Sequence, residues 1–365
     1  MKRAAGLTAF AVVASIVAVF TQSAPAFKLG TFELGGRTFV GIVLKDSLVI
    51  DFGQANAALK APASKVASPT DMKDLIARYD AGVRARINEI LVNTKPLEGA
   101  GRPAFVHDLK SLRTLPPIMY PTTMLNVAVN YRAHGAEMAG EQKTGAPAPG
   151  DALPGTTSAP GIWERKADDK RWNPYMFMKS PAAVIANGEA IRLPLGRQQI
   201  DWECELGVVV ARTADHVPIE RAGDFIFGYT LENDVSDRGG RGDTRYGSDW
   251  VIGKNHDTFA PMGPFIVPKE FVPNPQNLPV KFTLNGQVMQ DANTSLMVHS
   301  VFEQISYASN IITLRPGDVI ATGSPAGVGS ARKPPIFFKA GDTSVCTYEG
   351  IGTLTNPIVA PRASR

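Results

Sequence analysis

Apolar and polar positions alternate along Lys28–Leu34 and again along Thr38–Leu44, with the turn pair Gly35-Gly36 between them. Two paired strands are predicted, and a third over Ser47–Asp51 after Lys45-Asp46. The period then changes. Met72, Leu75, Ile76, Tyr79, Val83, Ile87, Ile90 and Leu91 recur at helical spacing, and Asp71, after Pro69 and Thr70, stands where a helix start needs a cap. Residues 27–113 thus read as a small N-terminal α+β module with no cluster of catalytic residue types. Residues 114–124 hold Pro116, Pro117 and Pro121 and read as a linker.

From 125 to 357 the pattern is one of short strands, with 358–365 as a tail. Val280–Leu284 and Gln287–Gln290 flank Asn285-Gly286, the strongest short hairpin signal. Val319–Ala321 follows the turn Pro316-Gly317-Asp318, and Thr343–Tyr348 follows Gly341-Asp342. Val298, Val301, Phe302, Ile305 and Ile312 mark one helix face. The fold class is α+β, mostly β. Gly140–Gly161, rich in Gly, Ala, Pro, Ser and Thr, reads as an insertion or long surface loop.

Composition changes this picture at one end. The chain of 365 residues is 44% apolar and 20% charged, enough for a sizeable core. Residues 1–26 depart from it: Lys2 and Arg3, an uncharged apolar run Ala4–Phe20, then Ala24-Pro25-Ala26. That order is the plan of a secretory signal peptide, with cleavage expected after Ala26; a membrane anchor is the alternative. The expectation is an exported protein, in a bacterial periplasm, with no membrane span once the leader is gone. The formal net charge is +4 and no long basic block remains after the leader, so nucleic acid is not an expected partner. Cys204 and Cys346 are too few for a cysteine zinc site. Two separate buried thiols are expected, with a disulfide as the alternative in an oxidising compartment.

The chemistry concentrates in Asp201-Trp202-Glu203-Cys204-Glu205-Leu206-Gly207. On a strand Asp201, Glu203 and Glu205 project to one side, and Trp202, Cys204 and Leu206 to the other. Adjacent carboxylates repel and are costly to desolvate, and a hard divalent cation offsets that cost. Alone, E-x-E reads as the solvated face of an edge strand. A second acidic segment, Gly228–Ser236, places Asp234 where an apolar strand gives way to a loop, and three carboxylates with waters suit a six-coordinate ion. Lys254 follows in the Gly-punctuated Gly253–Pro264, where an ammonium beside an anionic site can hold a substrate oxygen. His134 and Glu137, three apart, share a face if helical; Glu137 then orients the imidazole as a general base. His107, His216, His256 and His299 are scattered and read as structural. The turn Ala321–Gly329 lacks the lysine of a phosphate loop. Thr322 and the backbone, at Gly323, are candidates to hydrogen-bond a substrate carboxylate or carbonyl.

In order along the chain, NYRAHGAE, DWECELGVVV, GYTLENDVS, GKNHDTFAPMGP, LNGQVMQ, RPGDVIATGSPAGVG and GIGTLTNP resemble the fumarylacetoacetate hydrolase family over about residues 125–357. The resemblance implies a mixed, mostly β roll, a homodimer, and magnesium as cofactor, with manganese or calcium in some members. It implies Glu203, Glu205 and Asp234 as metal ligands, Lys254 as the active-site lysine, His134 and Glu137 as a dyad on a lid segment, and Thr322 as a substrate contact. Arg238 keeps a basic position of the family, whereas Arg241 stands where a substrate-binding glutamine is usual. Both arginines are candidates to meet an acidic group of the substrate. The expected activity is metal-dependent hydrolysis of a carbon–carbon bond in a small 1,3-dicarbonyl acid, such as an acylpyruvate or fumarylacetoacetate. β-Keto acid decarboxylation and keto–enol isomerisation are alternatives on the same fold. An exported protein that captures carboxylates through a metal is the alternative of another class.

Overall fold

The computed structural model describes residues 25–60, 65–141, 159–164, 166, 168–240 and 249–362. Nearly all of the leader, most of Gly140–Gly161, Arg241 and the last three residues of the tail lie outside them. Strands β1 (Lys28–Leu34) and β2 (Arg37–Leu44) pair with Leu34 opposite Arg37. Gly35 and Gly36 between them have φ of +58° and +77°, a conformation open to glycine at little cost. Strand β3 (Leu48–Asp51) adds to β2. Asp51 caps helix α1 (Phe52–Ala58) by accepting from the Gln54 N–H.

The single helix expected over 72–91 is two helices, α2 (Met72–Ala77) and α3 (Arg84–Asn93). They are separated by non-helical backbone at Ala81 and Gly82, the latter at φ +117°. Periodicity does not register such a break, because all eight apolar positions remain buried on both sides of it. Asp71 does cap α2, accepting from the Asp74 N–H at 2.8 Å.

Leaving aside strands of two or three residues before Ala260, the next elements in chain order are β4 (Met124–Ala128), α4 (Arg132–Glu141), β5 (Tyr175–Met178), β6 (Cys204–Val210), β7 (Ile226–Asn233), α5 (Trp250–Lys254) and β8 (Ala260–Pro268). After them come β9 (Pro279–Leu284), β10 (Gln287–Asn293), α6 (Val301–Ser309), β11 (Val319–Ala321), β12 (Thr343–Tyr348) and β13 (Gly352–Val359). Strand outweighs helix, 33% to 23%, so the fold is mostly β as expected. Beginning from the short edge strand Val106–Asp108, which pairs with β3, the large sheet runs β3-β2-β1-β8-β7-β6-β11-β4-β5. Because β1 pairs with β8, with Leu29 opposite Ile266, the N-terminal strands continue the sheet of the main segment. The sheet is mixed: β11 is antiparallel to β6 and parallel to β4.

A second sheet runs β10-β9-β12-β13 and ends on the short strand Ile191–Arg192. Asn285 and Gly286 turn the β9–β10 hairpin at φ +52° and +81°, as their sequence predicts. Helix α6 opens on a Ser300/Glu303 capping box, and Val298 and Ile312, expected on its face, lie outside it. One buried cluster joins the two sheets, with Cys204, Leu206 and Leu231 from the first, Phe282, Cys346, Tyr348 and Leu354 from the second, and Trp202 just before β6. Within it Cys204 and Cys346 form a disulfide across 5.5 Å between Cα atoms, which corrects the expectation of separate thiols. The two residues are 142 positions apart and meet only because the sheets pack. Among the described residues no helix is long and apolar enough to cross a membrane.

Candidate metal centre

The strand expected over Asp201–Val210 is interrupted. Ile200–Asp201 pairs with Ser236–Asp237, and the long strand β6 begins at Cys204. Asp201 therefore leaves the expected row of three acids. It accepts from the N–H groups of Trp202, Gly329 and Ser330 and pairs with Arg238 at 3.1 Å. Glu203 and Glu205 do share a site, and the third acid comes from β7. Asp234 follows that strand, and its N–H donates to the Glu203 carbonyl at 2.8 Å. One carboxylate oxygen each from Glu203, Glu205 and Asp234 lies within 4.8 Å of the others, and all three side chains are buried. Such a set of hard anionic oxygens suits magnesium, manganese or calcium.

Cations surround the triad. Lys254, at the end of α5, places Nζ 2.7 Å from Glu203 Oε2 and 2.7 Å from Asp234 Oδ2, and 5.1 Å from the centre of the Phe177 ring. Lys179 was not legible as a site residue. It follows the strand β5, is wholly buried, and donates to Asp234 Oδ1 and the Val235 carbonyl. Its signal, a single lysine closing an otherwise uncharged strand, is weak. Arg238 donates to Glu203 Oε1 at 2.5 Å, so the guanidinium expected to meet a substrate acid is engaged by Glu203 and Asp201.

A fourth acid, also missed in the sequence, is Glu232. It stands directly opposite Glu205 in the β6–β7 pairing. Burial alone would raise Glu203, but Lys254, Arg238 and His134 hold it well below the usual carboxylate range. Glu205 goes the other way: burial, then Asp234, Glu232 and Glu203, push it well above that range. Burial also raises Glu232, to about 8, against the pull of Lys179. One Glu232 oxygen accepts from Asn126 at 2.8 Å; the other, Oε1, has no partner among the described residues. Lys254 is lowered by burial and raised more by Asp234 and Glu203, so it stays charged. Among the described residues, Asp201, Glu203, Glu205, Glu232 and Asp234 thus lie beside three permanent cations, Lys179, Arg238 and Lys254, with the His134 imidazole near Glu203. Without metal, protons on the raised Glu205 and Glu232 relieve the crowding of carboxylates; a divalent cation would supply that positive charge in their place.

Helix α4 brings the expected dyad to this cluster. His134 Nδ1 lies 2.7 Å from Glu137 Oε1, and Nε2 lies 3.8 Å from Glu203 Oε1. The Gly-rich turn holds both parts, but through the protein's own carboxylates. The Gly323 N–H donates to Glu205 at 2.8 Å, and the Gly327 N–H to Glu137 at 2.9 Å. Gly327 must be glycine: at φ +105° a Cβ would lie 2.1 Å from the Met289 carbonyl oxygen. The Thr322 hydroxyl is buried without a partner among the described residues. Of the remaining histidines, His256 meets Asp237 and His216 meets Asp215. Burial lowers His107, and lowers His299 to about 4.

The family model described as Fumarylacetoacetate (FAA) hydrolase C-terminal matches residues 123–359. Oxaloacetate tautomerase YisK of Bacillus subtilis (strain 168) is 31% identical over 333 residues, 91% of this chain and 99% of that protein. The mitochondrial oxaloacetate tautomerase fahd2 of Xenopus laevis is 40% identical over 186 residues, which span 51% of this chain and 58% of that protein. Among solved structures, maleylpyruvate hydrolase from Sphingobium sp. SYK-6, in complex with manganese (II) ion and pyruvate, is 26% identical with a TM-score of 0.65. That similarity covers 92% of this chain and 100% of that one.

Proposed function

The chain belongs to the fumarylacetoacetate hydrolase family, and from that membership we propose that it interconverts the keto and enol forms of a small 2-oxo diacid with the help of a divalent cation. One observation carries this reading. The imidazole Nε2 of His134 stands 3.8 Å from an oxygen of the ligand triad, with Nδ1 fixed by Glu137. A base so placed reaches the carbon next to any carbonyl held at the triad.

A cation held by Glu203, Glu205 and Asp234 would supply Lewis-acid stabilisation of negative charge on the enolising carbonyl oxygen. The chain's own residues do the rest. Glu137 accepts from Nδ1–H, which leaves Nε2 free to take the proton from carbon and return it. The Gly327 N–H holds Glu137 in turn. The Lys254 ammonium adds positive charge where the oxyanion develops. His134 and Lys254 are 3% and 2% exposed, so this exchange is shielded from bulk water. The tautomerase activity named for the Bacillus relative, which matches nearly end to end, supports this reading.

Hydrolysis of a carbon–carbon bond, the expectation from sequence, is the second reading. The maleylpyruvate hydrolase neighbour favours it, and the same dyad would deprotonate water instead of carbon. Magnesium is the cation we assign first, with manganese next because that neighbour holds it. The test is oxaloacetate enol decay followed by ultraviolet absorbance, with product analysis on acylpyruvates alongside. Metal-dependent acceleration of enol decay is expected. No acceleration with magnesium, manganese or calcium, together with acylpyruvate cleavage, would replace the first reading by the second. We also propose an exported homodimer. The leader-like residues 1–26 and the disulfide support export, and light scattering with N-terminal sequencing of exported protein tests both points.

A further inference from the structure

The start of strand β6 presents two of the proposed ligands, Glu203 just before it and Glu205 on it, on one side and is gripped by the second sheet on the other. The residue between the two ligands, Cys204, is the centre of that grip. Its N–H donates to Gln290 of β10 at 3.2 Å, its carbonyl accepts from the Tyr348 hydroxyl of β12 at 3.4 Å, and its sulfur is bonded to Cys346 of β12. Next to it Trp202 stacks on Phe282 of β9, ring centres 5.3 Å apart. The ligand end of β6 needs such an anchor. Its pairing with β11 runs only from Gly207 to Val209, so at Cys204 and Glu205 the ladder is β7's alone. There Glu205 stands directly opposite Glu232, and Asp234 follows the same partner strand, so three acidic side chains crowd a two-strand edge.

We propose that the Cys204–Cys346 disulfide is a positioning device for the metal centre: it fixes the ligand strand against the second sheet, so the oxidised protein holds a divalent cation more tightly than the reduced one. This rests on the reading of Glu203, Glu205 and Asp234 as ligands. Reduction by a dithiol breaks the one S–S bond, transfers two electrons and two protons, and leaves two thiols and a cyclic disulfide of the reductant. With the bond open, Cys204 keeps two modest hydrogen bonds to the second sheet, and the ligand oxygens lose their fixed spacing.

The experiment uses the full chain and Mn2+ alone. Calorimetric titration compares the oxidised wild type with Cys204→Ala/Cys346→Ala, well below the melting temperature of both. The double variant should bind Mn2+ about tenfold or more weakly, the scale on which supports behind metal ligands act. A bond that is only a global staple would lower the melting temperature and leave this affinity alone. Where the double variant does not fold, reciprocity gives a second measurement. Saturating Mn2+ should make the wild-type disulfide harder to reduce in a dithiol redox buffer, by about 30 mV for a tenfold coupling. A folded double variant with wild-type Mn2+ affinity, or a reduction potential indifferent to Mn2+, overturns the proposal. No Mn2+ binding by the oxidised wild type overturns the metal-centre reading and this inference with it.

Discussion

Replacing Lys254 by methionine keeps the side chain's length and removes its charge, and its effect should depend on whether metal is present. Nζ bridges Glu203 and Asp234 at 2.7 Å each, and the residue is only 2% exposed. Removing one partner of a buried ion pair costs about 3–5 kcal/mol, because the other charge is left uncompensated. Here the lower end applies: Asp234 keeps Lys179, and Glu203 keeps Arg238. The metal-free variant should therefore lose about 3 kcal/mol of stability. With Mn2+ bound, the cation replaces the missing counter-charge and the loss should fall by about half. By linkage, that difference of about 1.4 kcal/mol means Mn2+ binds the variant about tenfold more tightly, even as turnover falls. Urea unfolding with and without saturating Mn2+, alongside calorimetric titration, measures both quantities. Equal stability losses in the two conditions with an unchanged affinity would refute the reasoning, since Lys254 would then not share its carboxylates with the metal.

Glu203→Ala, Glu205→Ala and Asp234→Ala should each weaken Mn2+ binding strongly, as one anionic ligand is lost from a hard cation; titration showing all three at wild-type affinity would remove the metal centre. His134→Ala should lower kcat by about 10²–10⁴-fold with Mn2+ affinity nearly retained, and Glu137→Gln should cost less because it orients the base without exchanging the proton. Steady-state rates at saturating metal check this, and an unimpaired His134→Ala enzyme would exclude the dyad. The pH dependence follows from Glu205 and Glu232, whose folded pKa values are raised, the latter to about 8, from the usual 4.5. A raised carboxylate stabilises the fold below its unfolded pKa, and that stability is lost as pH rises through the folded value. The metal-free melting temperature should therefore fall between about pH 6.5 and 8, above the range where His299 acts with the opposite sign. Mn2+ affinity should rise with pH, because binding has to displace the proton that burial holds on Glu205, and a flat profile of both would contradict the burial argument.

Local pattern was enough to determine much of this protein. Alternation and turn chemistry placed β1, β2, β3 and the Asn285-Gly286 hairpin, because a strand's period and a left-handed turn are properties of neighbouring residues. The E-x-E of β6 and the acid after β7 were readable for the same reason, and so was the spacing of His134 and Glu137. Tertiary structure decided what those residues meet. Lys179 joins Asp234 across 55 positions, and Glu232 faces Glu205 only through the β6–β7 register. The break at Gly82 escaped the helical period because burial is the same on both sides of it. Asp201 left the acid row because strand pairing is interrupted at Trp202 and Glu203, where the stacked Trp202 ring and three N–H donors to Asp201 offset the lost continuity. Cys204 and Cys346 illustrate the limit most plainly. Alternation puts Cys204 on the buried face of its strand, but its meeting with Cys346, 142 residues away, depends on how two sheets pack their apolar faces, and no local period carries that information.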